Sequence, residues 1–228
     1  MLITIEGTDC SGKETQSNLL YKKLVKDNKV FKTSFPVYDS PTGKIVGGSY
    51  LGKSSISPCL FEEGAANVDP RVASLYYAAD RLYNINKIDE YLNEDYIVIL
   101  DRYIESNMAH QGGKIFDINK RNEIYDWLEK LEYDLLKLPR PDLTIFLYMP
   151  YEYALQLKKN RTELDQHELS KEHLLNAEKA YLELANKYNF KTINCVSDNK
   201  IKTIDEIHNE VCNIIENYLI ENNVKKIK

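Results

Sequence analysis

The sequence predicts an α/β fold: a central parallel five-stranded sheet with helices on both faces, built as one domain of 228 residues. Three observations predict it. Apolar runs of strand length recur at 2–6, 29–35, 96–101, 143–149 and 191–196. Helical patterns lie between them, at 13–27, 70–93, 119–137, 151–160, 171–188 and 203–222. The first apolar run also ends in a glycine loop that leads straight into a helical pattern. Alternation of this kind makes successive strands parallel and gathers ligands at their C-terminal ends. That rule directs attention to residues 7–13, 35–44 and 101–112.

The first element carries the most chemistry. Leu2-Ile-Thr-Ile is followed by Glu6 and then by Gly7-Thr-Asp-Cys-Ser-Gly-Lys13. Strand, glycine loop and helix in that order form a phosphate-binding loop. The glycines let successive backbone N–H groups turn toward anionic oxygens, and the helix adds the positive end of its dipole. Lys13 adds a point charge for a transferred phosphoryl group. The usual pattern has Ser or Thr after the lysine. Here that position holds Glu14, and the hydroxyl comes one step later, at Thr15. The bland reading of the same string is a tight turn with a surface lysine. Asp9 reads either as a contact to a metal shell or sugar hydroxyl, or as an Asx turn that stabilises the loop.

After the strand at 29–35 comes a segment, 36–69, rich in Pro and Gly, which reads as a long loop, functional or mobile. The helix at 70–93 carries Tyr76, Tyr77, Asp80, Arg81 and Tyr83. Tyr77 and Arg81 are i, i+4 neighbours, so a ring and a guanidinium share one face and can hold a planar base. Read alone, such an aromatic is more often a core residue. The run 96–101 is a buried strand ending in Asp101, with Arg102 next. An acid at a strand tip beside a phosphate loop helps hold a magnesium shell; a structural ion pair is the alternative. The polar stretch 160–170 between two helices reads as a lid, placed around 158–170.

Composition bounds the partners. The net charge is −5, which gives no general pull toward nucleic acid. No apolar run reaches membrane-spanning length, and no secretory leader is read. The four cysteines, Cys10, Cys59, Cys195 and Cys212, are scattered with no CxxC pair. A cytoplasmic protein with reduced thiols is the expectation.

Taken in order, residues 7–13, Phe35-Pro36-Val37-Tyr38, Ala79-Asp80-Arg81, Asp101-Arg102-Tyr103-Ile104-Glu105-Ser106-Asn107, Gln111-Gly112 and Pro141-Asp142-Leu143 resemble the thymidylate kinases over nearly the whole chain. The resemblance implies the three-layer P-loop kinase fold and ATP-dependent phosphorylation of dTMP to dTDP. It also implies Mg2+ as cofactor and a homodimer. By the same resemblance, Lys13 and the backbone of Gly7, Thr8, Asp9, Cys10, Ser11 and Gly12 hold ATP phosphates, with Glu14 alongside. Thr15 reaches a phosphate or the metal shell. Asp9 contacts the acceptor 3′-hydroxyl and helps organise Mg2+. Asp101 matches the family's magnesium-shell carboxylate, acting through water. Arg102 bridges the acceptor and donor phosphates. Phe35 and Tyr38 line the acceptor sugar and phosphate, Tyr77 stacks on thymine, and Arg81 reaches its O4. Ser106 and Asn107 match the base-reading segment, with Asn107 at the N3 edge. His110 stands where some members place a tyrosine near C2′, or else packs structurally, and Gln111 completes the substrate-binding set.

Three departures from the family pattern matter. Glu14 replaces the hydroxyl after Lys13. Cys10 stands where some members carry a catalytic arginine; in the other members the lid supplies that charge. Arg161 is the only arginine in 151–175 and is therefore the lid candidate, with Lys158 and Lys159 as substitutes. Val37 replaces an arginine for the acceptor phosphate, a load expected to fall on Arg102 or Lys44. The competing readings are a kinase for another nucleotide, such as dUMP, and a catalytically silent nucleotide-binding regulator. A GTP switch would carry Asn-Lys-x-Asp; the closest string, Asp198-Asn199-Lys200, is not that motif.

Overall fold

The computed structural model describes residues 1–158 and 165–222. It begins with β1 (Leu2–Gly7), α1 (Lys13–Leu24) and β2 (Val30–Ser34). The short α2 (Pro41–Lys44) runs on into a π-helical turn (Ile45–Tyr50). α3 (Pro70–Asn93), β3 (Ile97–Asp101) and α4 (Ile104–Gly112) follow. α5 (Ile118–Glu129) then extends through a second π-helical turn (Lys130–Leu135). The C-terminal part comprises β4 (Leu143–Tyr148), α6 (Tyr151–Lys158), α7 (Gln166–Leu169), α8 (Lys171–Lys187) and β5 (Lys191–Asn194). A hairpin of β6 (Val196–Ser197) and β7 (Lys200–Ile201) leads to α9 (Ile204–Glu221).

The main sheet has five strands in the order β2-β3-β1-β4-β5, all parallel. β1 is central, with Ile5 opposite Asp101 on one side and Ile145 on the other. Every residue of β1 and β3 is buried, as both-face coverage of a parallel sheet requires. Period-two alternation divides the core. Leu2, Val98, Leu100 and Phe146 pack with α3, α4, α5 and α8 on one face. Ile3, Ile5, Ile99, Ile145 and Leu147 pack with α1 and α9 on the other. The same alternation turns Glu6 onto the α4/α8 face, where it becomes part of the site.

Local signals set the helix starts. Asp69 caps α3 through the N–H groups of Arg71 (2.8 Å) and Val72 (3.3 Å), with Pro70 in the first turn. Thr203 and Glu206 form a capping box for α9. Asp198 and Asn199 both have positive φ, 50° and 58°, which is the turn chemistry of a tight hairpin. The string nearest a guanine motif is therefore the β6–β7 turn.

Two regions differ from the sequence expectation. Within 36–69, read as loop, α2 and the π-helical turn pack a satellite core of Val46, Tyr50, Leu51, Ala65, Val68 and Ala73. α4 is absent from the expected helices. Its residues are buried almost all round, so no polar face marks a 3.6-residue period. Among the described residues no helix is long and apolar enough to cross a membrane.

Candidate active site

The loop after β1 has the backbone that phosphate binding needs. A Cβ on Gly7 would lie 2.7 Å from the carbonyl oxygen of Leu147 and 2.4 Å from Ser11 Oγ, so only glycine fits there. Gly12, at φ +80°, turns the chain into α1. Thr8 pins the loop to β4: its Oγ1 donates to the Met149 carbonyl (2.7 Å) and accepts from the Met149 N–H (2.8 Å). Lys13 Nζ lies inside the loop, 2.8 Å from the Thr8 carbonyl oxygen and 3.4 Å from Ser11 Oγ. Burial, with the Arg102 charge beside it, pulls the Lys13 ammonium down to about 8 against the opposing pull of Asp101 and Asp9. Glu14 and Thr15 are exposed on the first turn of α1.

The Asp101–Arg102 strand tip lies beside this loop. Arg102 adopts φ 65°, and its N–H donates to the Ile5 carbonyl (3.1 Å). Its guanidinium donates to Ser106 Oγ and Tyr181 OH, both at 3.0 Å. Beneath them lies Glu6, fully buried. One of its oxygens accepts from the Tyr103 N–H (2.7 Å). The other accepts from Ser106 Oγ (2.5 Å) and Tyr181 OH (3.1 Å). Buried carboxylates persist where they are paired and hydrogen-bonded. Here the result is a guanidinium held in place from below by groups from β1, α4 and α8.

Beside Arg102 opens a cleft lined by charged, polar and aromatic side chains. Asp9, Phe35, Tyr38, Tyr77, Arg81, Arg102, Ser106, Asn107 and His110 all line it. Gln111 lies fully buried in the same helix, α4, and does not line the cleft. Arg81 is not a free arm. It forms a bidentate pair with Glu132, in which Nε and Nη2 each donate to a carboxylate oxygen, Nη2 at 2.6 Å. Asn107 Nδ2 donates to that carboxylate (3.2 Å), which leaves Asn107 Oδ1 buried with no hydrogen-bond partner among the described residues. Tyr77 meets Tyr50 edge-on at 5.7 Å. Asp80 secures the neighbouring loop, accepting from the Val37 N–H (2.9 Å), Ser40 Oγ (3.1 Å) and Thr42 Oγ1 (2.8 Å). That clamp holds Tyr38 at the cleft.

Sequence reasoning missed Glu6, Tyr181 and Glu132, and it singled out none of Asp165, His167 and Glu168, three cleft residues inside the segment read as a lid. Only Glu6 carried a signal: a lone carboxylate inside an otherwise uncharged central strand needs buried partners. Arg161 and Lys159 lie outside the described residues. Lys158, at the end of α6, reaches the phosphate loop: its Nζ is 3.6 Å from Asp9 Oδ2, and it donates to the Glu168 carbonyl. Lys44 does not line the cleft, whereas Lys53 lies over the Tyr38 ring at 4.9 Å and 3.8 Å from Asp165.

A phosphate loop and a nucleotide-facing cleft that meet at one half-buried arginine, Arg102, form the arrangement of a P-loop nucleotide kinase. Comparison with known proteins gives the particular family. The thymidylate kinase family model matches residues 5–211. A thymidylate kinase of Prochlorococcus marinus is 33% identical over 94% of this chain and 97% of its own. A probable thymidylate kinase of Methanocaldococcus jannaschii is 32% identical over 95% and 96%. The solved thymidylate kinase of Candida albicans superposes with a TM-score of 0.72 at 28% identity, covering 95% of this chain and 91% of that one. The chain belongs to the thymidylate kinase family.

Proposed function

We propose that this chain transfers the γ-phosphoryl group of ATP to dTMP, giving dTDP, with the donor on the loop at 7–13 and the acceptor in the cleft. The observation that carries this reading is the convergence on one cleft of Tyr77, Arg81, Asn107 and Arg102. Thymine offers an N3–H donor and an O4 acceptor. Asn107 Oδ1 is a buried acceptor without a partner among the described residues, and Arg81 is a donor held rigid by Glu132. Arg102 and Lys13 neutralise charge on the transferring group, and Lys158 adds a cation from the lid side. The acceptor phosphate is already anionic, so the reaction needs positioning and charge neutralisation and no assigned general base.

Mg2+ fits the donor set. Asp9 and Asp101 present hard carboxylate oxygens beside Lys13, and both act on it electrostatically. Asp9 and Asp101 would hold the ion, and when bound it would neutralise charge on the donor phosphates. Glu14→Thr tests the departure after Lys13. The exposed site predicts an unchanged fold and a lower half-saturating Mg2+; an unchanged Mg2+ titration removes Glu14 from metal binding.

Tyr77→Ala is expected to raise the KM for dTMP about 10- to 100-fold, the range of a lost base–aromatic stack, with little change in kcat. A lowered melting temperature with normal KM would make Tyr77 a core residue instead. A homodimer in a reducing, cytoplasmic setting completes the reading. Among the described residues no cysteine forms a disulfide, and α3 carries an exposed apolar stripe of Val72, Leu75, Leu82 and Tyr83. Light scattering at micromolar concentration is expected to give twice the chain mass.

A further inference from the structure

Three of the four histidines in the chain meet at one wall of the acceptor cleft. His110 comes from α4, His167 from α7 and His173 from α8. His167 and His173 are each only 5% exposed. One ring nitrogen from each lies within 4.8 Å of the others. His110 Nδ1 is 3.1 Å from His173 Nε2, and the His167 and His173 rings are 4.1 Å apart at their centroids.

We propose that this cluster is a binding site for a borderline divalent transition cation of the Zn2+ class, held by His110, His167 and His173. It is separate from the Mg2+ of phosphoryl transfer.

The ligand chemistry selects the ion. Imidazole nitrogens suit Zn2+ and its neighbours, whereas Mg2+ requires oxygen ligands and keeps its waters. Zn–N bonds of about 2.0–2.1 Å place tetrahedral ligand nitrogens about 3.4 Å apart. The His110–His173 pair already matches that spacing, and side-chain rotation within the 4.8 Å cluster brings in the third. Burial disfavours the imidazolium form at all three positions, so the lone pairs a metal needs are available. Outer partners are also present. Tyr50 OH lies 3.0 Å from His167 Nε2 and donates its own proton to the Ala65 carbonyl, so Nε2–H donating to Tyr50 OH would leave Nδ1 as the ligand nitrogen. Cations face the cluster: Lys114 acts on His167 and His173, and Arg102 on His110 and His167. Lys114 is tied to Tyr50. Its Nζ donates to Tyr50 OH (3.1 Å) and to the carbonyls of Ala65 and Val68 (both 2.9 Å). His110 and His167 line the cleft, so the fourth coordination position opens toward it. A cation there ties α7 to α4 and α8.

The test uses the full chain free of nucleotide, which separates it from the kinase reading. Co2+ is titrated first and then displaced with Zn2+. The expected result is one equivalent of Co2+ with the intense visible absorption of a tetrahedral site, displaced by one equivalent of Zn2+. His173→Ala should weaken Zn2+ binding about 100-fold or more, beyond the usual effect of losing an outer partner. His208→Ala, which removes the remaining histidine, beside Cys212 (3.5 Å), should leave binding unchanged. A pale octahedral Co2+ spectrum in the wild type, absence of saturable binding, equal affinity in His173→Ala, or loss of binding in His208→Ala would each overturn the assignment.

Discussion

Arg102→Ala is expected to lower kcat about a thousandfold, the scale of losing a charged group that stabilises a transferring phosphoryl. The structure gives the reason. The guanidinium is positioned before substrate arrives, by Ser106 and Tyr181 at 3.0 Å, and these rest on Glu6. No reorganisation is then needed as charge develops. Arg102→Lys keeps the charge and loses the planar fork, so its rate should fall between the two. Steady-state kinetics with dTMP and ATP, beside a melting curve, check this. A near-normal kcat in a folded Arg102→Ala protein would remove Arg102 from the chemistry.

The second large effect concerns stability and recognition together. Arg81 is 2% exposed and Glu132 0%. Arg81→Ala leaves that carboxylate buried and unpaired, which costs about 3–5 kcal/mol. Replacing both partners by apolar residues of similar size should recover most of that loss. The double variant Arg81→Met with Glu132→Leu is therefore expected to melt near the wild type and still use dTMP poorly, because the donor for the base is gone. Denaturant unfolding and the KM for dTMP separate the two roles. A double variant with normal KM would make the pair purely structural.

Legibility in the sequence followed locality. The phosphate loop, the Asp101–Arg102 tip and the Tyr77/Arg81 spacing lie within single segments, so residue type and spacing were enough to find them. Strands β1 to β5 were visible for the same reason. The support beneath the site was not. Tyr181 lies 79 residues from Arg102, and Glu132 lies 51 residues from Arg81, each in a different part of the fold from its partner. Such pairings are set by which helices the sheet brings together, and no local pattern encodes them. α4 was missed because near-complete burial erases its amphipathic period. The histidine cluster has the same cause: His110 and His173 are 63 residues apart in the chain and 3.1 Å apart in the fold. Lys158 gained weight from the structure, since its contact with Asp9 places a lid-side cation at the phosphate loop.

ADP formation from ATP and Mg2+ with a panel of acceptors tests the central claim most directly: dTMP, dUMP, dCMP, UMP, AMP, GMP and thymidine. The cleft predicts strong stimulation by dTMP and little by the purine nucleotides or by thymidine, which lacks the phosphate that Arg102 holds. Preferential stimulation by another acceptor, or none by any with ATP bound, would contradict the assignment of Tyr77, Arg81 and Asn107 to thymine.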